Sequence, residues 1–174
     1  IFGGREFEYF DLSVDWKIPA GGNSGIFYHI KEWYNGPSAI SPEYQLIDDE
    51  NYAKMHDLEA YNSQFGSKNP KELQDWQKTG ADYAMHIANE EAKVLKPAGE
   101  WSNTRIVVSK SGTEHWLNGV KLLSFKPYTP DWYERKNSGK WKNSPDYGKF
   151  TSGYIGFQDH GSELSFKNIS IITL

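Results

Sequence analysis

The stretch Glu8-Tyr9-Phe10-Asp11-Leu12-Ser13-Val14-Asp15-Trp16-Lys17-Ile18 places Phe10, Leu12, Val14, Trp16 and Ile18 on one side. Tyr9, Asp11, Ser13, Asp15 and Lys17 fall on the other. A strict period of two is that of a pleated strand with one face in the core and one in water. The segment therefore reads as a half-buried antiparallel strand. Outward from it, Pro19-Ala20-Gly21-Gly22-Asn23 makes a turn, and Ser24 to Lys31 resumes as a strand rich in Ile and aromatics. Thr104 to Lys110 and Thr113 to Leu123 read as a hairpin about Ser111 and Gly112, with a further turn at Asn118-Gly119. Gly153 to Asp159 and Glu163 to Ile172 are read as a last pair of strands. In the second of them the inward parity changes between Phe166 and Ile169, which predicts a bulge near Lys167 and Asn168.

Between these strands lie two long polar excursions. The first, Asp49 to Thr79, contains one helical candidate, Pro70 to Gln77, with Pro at the first helical position; Ala81 to Ile87 after it is a candidate short strand. The second, Lys126 to Thr151, mixes Trp132, Tyr133, Trp141 and Tyr147 with Lys, Asn and Pro and reads as the wall of a cleft. No internal repeat or heptad pattern is present. Many short strands, little helix and two decorated loops predict an all-β, two-sheet antiparallel sandwich of jelly-roll type.

A chain of 174 residues with 37% hydrophobic content is long enough for one well-filled core, so residues 1–174 are read as a single domain. The net charge of -4 supplies no basic stripe for phosphates, which argues against nucleic acid and against an anionic membrane surface. With no cysteine, disulfides, thiolate metal sites and a cysteine nucleophile are excluded. No apolar run approaches the length of a membrane span. The chain opens at Ile1 without an initiator Met or a signal peptide, so the expectation is that the natural N-terminus lies further upstream. Aromatic residues make up 16%, with seven Trp and eleven Tyr. Such rings can stack on the apolar face of a pyranose, although filling a sandwich core accounts for most of them.

Chemistry concentrates in Glu43-Tyr44-Gln45-Leu46-Ile47-Asp48. On a strand Glu43 and Gln45 share one face and Tyr44 and Leu46 the other. Asp48 would join Glu43 only if a β-bulge intervened. An amphipathic strand with its polar face in water is the bland alternative and is equally compatible with this stretch alone.

Six segments in order resemble one family: Gly22-Asn23-Ser24-Gly25-Ile26; Glu43 to Asp48; Thr79-Gly80-Ala81 with Tyr83; Pro97-Ala98-Gly99-Glu100-Trp101; His115-Trp116-Leu117-Asn118-Gly119; and Gln158-Asp159-His160-Gly161-Ser162 leading into Phe166-Lys167-Asn168-Ile169. Together they resemble the 3-keto-disaccharide hydrolases, a family once catalogued only as a domain of unknown function. The likeness covers nearly the whole chain. It departs in two places: the chain begins at what looks like the family's third or fourth strand, and Ser102-Asn103 follows Trp101 where the family tends to have Asn directly. The resemblance implies a concanavalin A-like fold, a carbohydrate substrate whose sugar carries a C3 ketone, and export to the periplasm or beyond.

A C3 ketone acidifies the C2 hydrogen, so a base can form an enolate that expels the C1 substituent, after which water adds back. This needs a base, a group to hold the enolate oxygen and an acid for the leaving oxygen. Glu43 is the expected base or acid and His160 its partner, an imidazole being suited to proton transfer near neutral pH. Asp48 is a third catalytic candidate. Expected to bind substrate are Asn23, Gln45, Tyr83, Trp101, Arg105 and Gln158, although Arg105 reads as a surface residue by strand parity and Trp101 and Tyr83 as core residues. His29, His86 and His115 have no ligand-like spacing. No metal ligand is assigned, and a divalent ion holding the enolate is left open, as is the oligomeric state.

Two rivals stand beside this reading. Glu-x-Gln-x-x-Asp here matches the spacing of Glu-x-Asp-x-x-Glu in laminarinase-like retaining glycosidases, but replacing the central Asp by Gln removes the group that tunes the nucleophile. A non-catalytic carbohydrate-binding module would use Glu43, Gln45 and Asn23 to hold sugar and react with nothing.

Overall fold

The computed structural model describes residues 2–32, 34 and 36–174, with Phe2 and Gly3 as backbone only. Nine strands form two antiparallel sheets. They are β1 (Phe2–Phe7), β2 (Phe10–Lys17), β3 (Asn23–Ile30), β4 (Glu43–Ile47), β5 (Ser102–Ser109), β6 (Gly112–Leu117), β7 (Val120–Phe125), β8 (Gly153–Phe157) and β9 (Ser165–Thr173). One sheet runs β1-β8-β3-β4 and the other β7-β6-β5-β2-β9. This is the expected two-sheet antiparallel sandwich. The alternation in β2 does what its period predicts: Phe10, Leu12, Val14 and Trp16 are buried, and they pack with Ile26, Tyr44, Leu46, Ile106 and Ile155 between the sheets. Trp16 carries its indole N–H into the core and satisfies it on Thr104 Oγ1 at 2.9 Å, as a buried donor must be.

The hairpin at Ser111-Gly112 and the turn at Asn118-Gly119 form as expected, with Asn118 and Gly119 both in the left-handed region. The predicted bulge is present: pairing of β2 with β9 slips between Ser13 and Asp15, opposite Asn168 at φ +50°. Two expectations about pairing are corrected. β8 and β9 are not partners; each joins a different sheet, and Phe157 faces Phe166 across the sandwich at 4.6 Å. No bulge interrupts β4, whose register with β3 runs unbroken from Phe27↔Glu43 to Asn23↔Ile47.

The first excursion folds into α2 (Tyr52–Met55) and α3 (Glu59–Ser63), following α1 (Pro37–Ile40) in the preceding loop. The helix expected over Pro70 to Gln77 shrinks to a single 3₁₀ turn, Asp75–Gln77. Asn62, fully buried, donates to the carbonyls of Pro70 and Glu72, so tertiary contacts hold that backbone open where a helix would close it. The expected strand Ala81 to Ile87 is reduced to a bridge, Tyr44↔Asp82, followed by a tight turn back to His86. The second excursion holds α4 (Pro130–Ser138), capped by the Thr129 hydroxyl, and a 3₁₀ turn, Lys140–Asn143. Its Trp132, Trp141 and Tyr147 are buried in a small core of their own, so only part of this loop walls a cleft. Among the described residues no helix is long and apolar enough to cross a membrane.

Candidate active site

β4 is buried on both faces, and its alternation assigns them: Tyr44 and Leu46 enter the inter-sheet core, leaving Glu43, Gln45 and Ile47 on the outer face. Its free edge is covered by residues 79–83. The Gly80 N–H donates to the Gln45 carbonyl at 2.9 Å, the Gln45 N–H to Ala81 at 3.1 Å, and the Tyr83 N–H to Glu43 at 3.0 Å. This pairing hides an edge that would otherwise recruit other strands. It also sets Tyr83 on the same face as Glu43, with Asp82 turned inward.

Over that face opens a cavity of about 440 Å³. The sheet supplies Asn23, Glu43 and Gln45, the first excursion Tyr52, Asp57, Tyr61 and Gln77, and the second Lys140; Gln158 and His160 close it from the end of β8. Six of the nine residues expected from sequence thus meet at one place: Asn23, Glu43, Gln45, Tyr83, Gln158 and His160.

Glu43 is the chemically unusual member. It is 6% exposed, and among the described residues its carboxyl has neither a hydrogen bond nor an ion pair. Burial pushes its pKa up to about 8; Lys140 nearby pulls down and Asp82, behind the sheet, adds to the rise. A carboxyl held this way keeps its proton near neutrality and gives it up just above. Its position depends on Gly25, since a Cβ there would overlap the Glu43 carboxyl.

Lys140 went unnoticed in the sequence, being one lysine among several in a polar loop. Its ammonium lies 4.3 Å from the Tyr83 ring centre, 4.7 Å from Trp141 and 5.7 Å from Tyr61. Three aromatic rings surround the ammonium, and ring contacts leave its N–H donors unoccupied. Tyr61 and Tyr83 share a hydrogen bond of 3.0 Å. Asn23 accepts from the Gln45 amide at 3.2 Å and reaches the Tyr52 hydroxyl at 3.4 Å, so the two amides brace each other. The buried Gln158 Oε1 has no partner. His160 is exposed at the rim.

Three expected residues lie elsewhere. Asp48 stands past the end of β4 and outside the cavity, because the bulge that would have returned it to the Glu43 side does not form. Its carboxylate instead accepts from the Gly21 N–H at 2.8 Å, from Glu50 and Asn51 N–H, and from the Asn51 amide at 2.9 Å, a turn-closing role. Trp101 packs against Lys17 and Lys167 of the five-stranded sheet, with the Lys167 ammonium 3.9 Å from its ring centre. Arg105 is exposed on β5 and forms a forked ion pair with Asp11 at 2.8 and 2.6 Å. Among the described residues no group of three or more His, Asp or Glu could hold a metal ion.

The chain is 29% identical over 190 residues to a 3-keto-disaccharide hydrolase of Bacteroides thetaiotaomicron, covering 98% of this chain and 60% of that protein, so it spans well under two thirds of that relative's length. A solved "putative glycosyl hydrolase" of Parabacteroides distasonis superposes with TM-score 0.83 at 44% identity, over 98% of this chain and 72% of the other. A carbohydrate-binding module of Bacillus subtilis shares the fold alone, with TM-score 0.50 at 10% identity over 97% of this chain and 77% of that one. Over residues 1–172 the sequence matches the family model described as the 3-keto-alpha-glucoside-1,2-lyase-like domain, and the chain belongs to that family.

Proposed function

We propose that the cavity over β4 binds glycosides whose sugar carries a ketone at C3 and cleaves them by elimination and rehydration, with Glu43 as the base. The observation that carries this reading is Glu43 itself: a buried, unpartnered carboxyl with its pKa raised to about 8, on the floor of a cavity large enough for a disaccharide. In its ionised form it takes the C2 proton, and the electrons of that C–H bond pass into the C2–C3 bond as the C3 oxygen becomes an enolate. Lys140, which lines the same cavity, supplies the positive charge for that oxygen. Collapse of the enolate restores the ketone, forms a C1–C2 double bond and breaks the C1–O bond. His160 at the rim gives the leaving oxygen its proton. Water then adds at C1 while a proton returns to C2.

Asn23, Gln45 and Gln158 supply amide groups for sugar hydroxyls, and Tyr83 lines the cavity with them. A retaining glycosidase would need a second carboxyl paired with Glu43. The β4 candidate for that, Asp48, is fully engaged in its turn.

The test is chromatographic assay of a 3-keto-disaccharide against its unoxidised parent, with and without a chelator. Cleavage of the keto sugar alone, lost in Glu43→Gln, is expected. Chelator sensitivity would add a divalent ion to the enolate's stabilisation. Cleavage of the parent would overturn the proposal in favour of an ordinary glycosidase, and binding without cleavage in favour of a carbohydrate-binding module.

A further inference from the structure

A second cavity, of about 170 Å³, lies between the sheets at the end where the β5–β6 hairpin turns. It is separate from the cleft, on the other side of β4. Its walls are aromatic: Tyr9, Tyr28, Phe125, Tyr128, Trp132 and Tyr147. One of its lining residues carries a buried oxygen with no hydrogen-bond partner among the described residues. Asp82 is 1% exposed; its Oδ2 is held by His86 Nδ1 at 2.8 Å, while its Oδ1 has no hydrogen bond. Tyr28, 2% exposed, lines the same wall, close enough to Asp82 for the two groups to interact electrostatically.

An oxygen of a buried carboxylate left dry is strongly disfavoured, so something must complete it. A carboxylate oxygen accepts hydrogen bonds and attracts positive charge, and aromatic rings in a wall add a weaker attraction wherever a face is free. Two of the lining residues, His29 and Tyr128, hold left-handed backbone at φ +58° and +64°. Such strain in residues other than glycine gathers at ligand sites. Lys110, Lys126 and Glu8 also line it, but all three are exposed and screened by solvent, so the one buried charged residue of the lining is Asp82.

We propose that this cavity binds a small organic ammonium ion, its charge against Asp82 Oδ1 and its carbons among the six aromatic rings. A volume slightly above that of an engineered cavity known to accept benzene limits the ligand to about the size of choline. The proposal does not depend on the chemistry of the cleft.

The test titrates the whole chain with choline chloride at constant ionic strength and follows indole N–H signals by NMR. The neutral isostere 3,3-dimethylbutan-1-ol is titrated in parallel. Saturable choline binding, about tenfold tighter than the isostere, is expected, with Tyr128→Ala weakening it about fivefold. Asp82→Asn should abolish the preference for the cation. Should that variant fail to fold, Tyr28→Phe serves in its place, with a smaller loss of choline affinity expected. Equal affinity for the two probes, saturation by neither, or a choline affinity untouched by Tyr128→Ala would overturn the proposal and leave a hydrated cavity.

Discussion

Glu43 and Asp48 stand five residues apart, at the start of β4 and just past its end, and both are 6% exposed, yet the fold treats them in opposite ways. Asp48 is surrounded by donors: three backbone N–H groups and one amide converge on its carboxylate and close the turn from β4 into the first excursion. The Glu43 carboxyl receives none among the described residues, lies over a glycine that leaves it room, and faces a cavity with a lysine ringed by aromatics nearby. Burial alone therefore does not mark a functional acid. The informative quantity is how many of its hydrogen bonds the fold has already provided, because each one favours the charged form and lowers its reactivity as a base.

The sharpest way to break the comparison is Glu43→Gln. Turnover of a 3-keto-disaccharide should fall by on the order of a hundredfold or more, with sugar affinity in equilibrium binding little changed. An equal loss of both would remove Glu43 from the role of base. The same variant should alter the pH dependence of stability. Between about 4.5 and about 8 the native Glu43 keeps a proton that the unfolded chain has released, so native stability falls as pH rises through that window. Denaturant melts of Glu43→Gln at several pH values should lack that component.

For Asp48→Ala the effect should be thermodynamic. Four donors lose their acceptor, one of them the buried Gly21 N–H, and the midpoint of urea unfolding should report a loss of about 3 kcal/mol. Turnover per folded molecule should stay within about twofold. A large drop in turnover with unchanged stability would reverse the assignments of the two acids. Gly25→Ala is the next largest in activity. Its new Cβ overlaps the Glu43 carboxyl, which must swing aside, and kcat should drop by about tenfold.

The smallest expected effect is the most diagnostic of the electrostatics. Lys140 holds the Glu43 pKa below where burial alone would put it. In Lys140→Met the rise of kcat/KM with pH should shift to higher pH, by something under one unit, alongside a loss of several-fold in kcat. An unmoved profile would show that the two charges do not interact.

Much of the lining of the candidate site is legible in the sequence. Glu43, Gln45, Asn23, Gln158 and His160 lie on or beside strands whose parity could be read, and parity is a local property that the pleat enforces. The place of Asp48 is not legible in the sequence, because one bulge changes the face of every later residue and no residue between Glu43 and Asp48 announces whether one is present. Lys140 was missed for a different reason. Its neighbours Tyr61 and Tyr83 come from segments some sixty to eighty residues away in sequence, and nothing in its own surroundings distinguishes it from Lys142 or Lys149. The helix expected over Pro70 to Gln77 had correct local signals and lost to the carbonyl contacts of Asn62.

By itself the sequence determined the class of fold, since alternation in β2, turn residues such as Asn118-Gly119 and the parity step in β9 are short-range features whose physics is complete within a few residues. It also placed the acid–amide face on β4. The tertiary structure alone decided which acid is left without donors, which lysine is caged beside it, and that a second aromatic cavity encloses Asp82. These depend on desolvation and on the meeting of segments far apart in the chain, and a carboxyl's environment exists only once its neighbours have arrived.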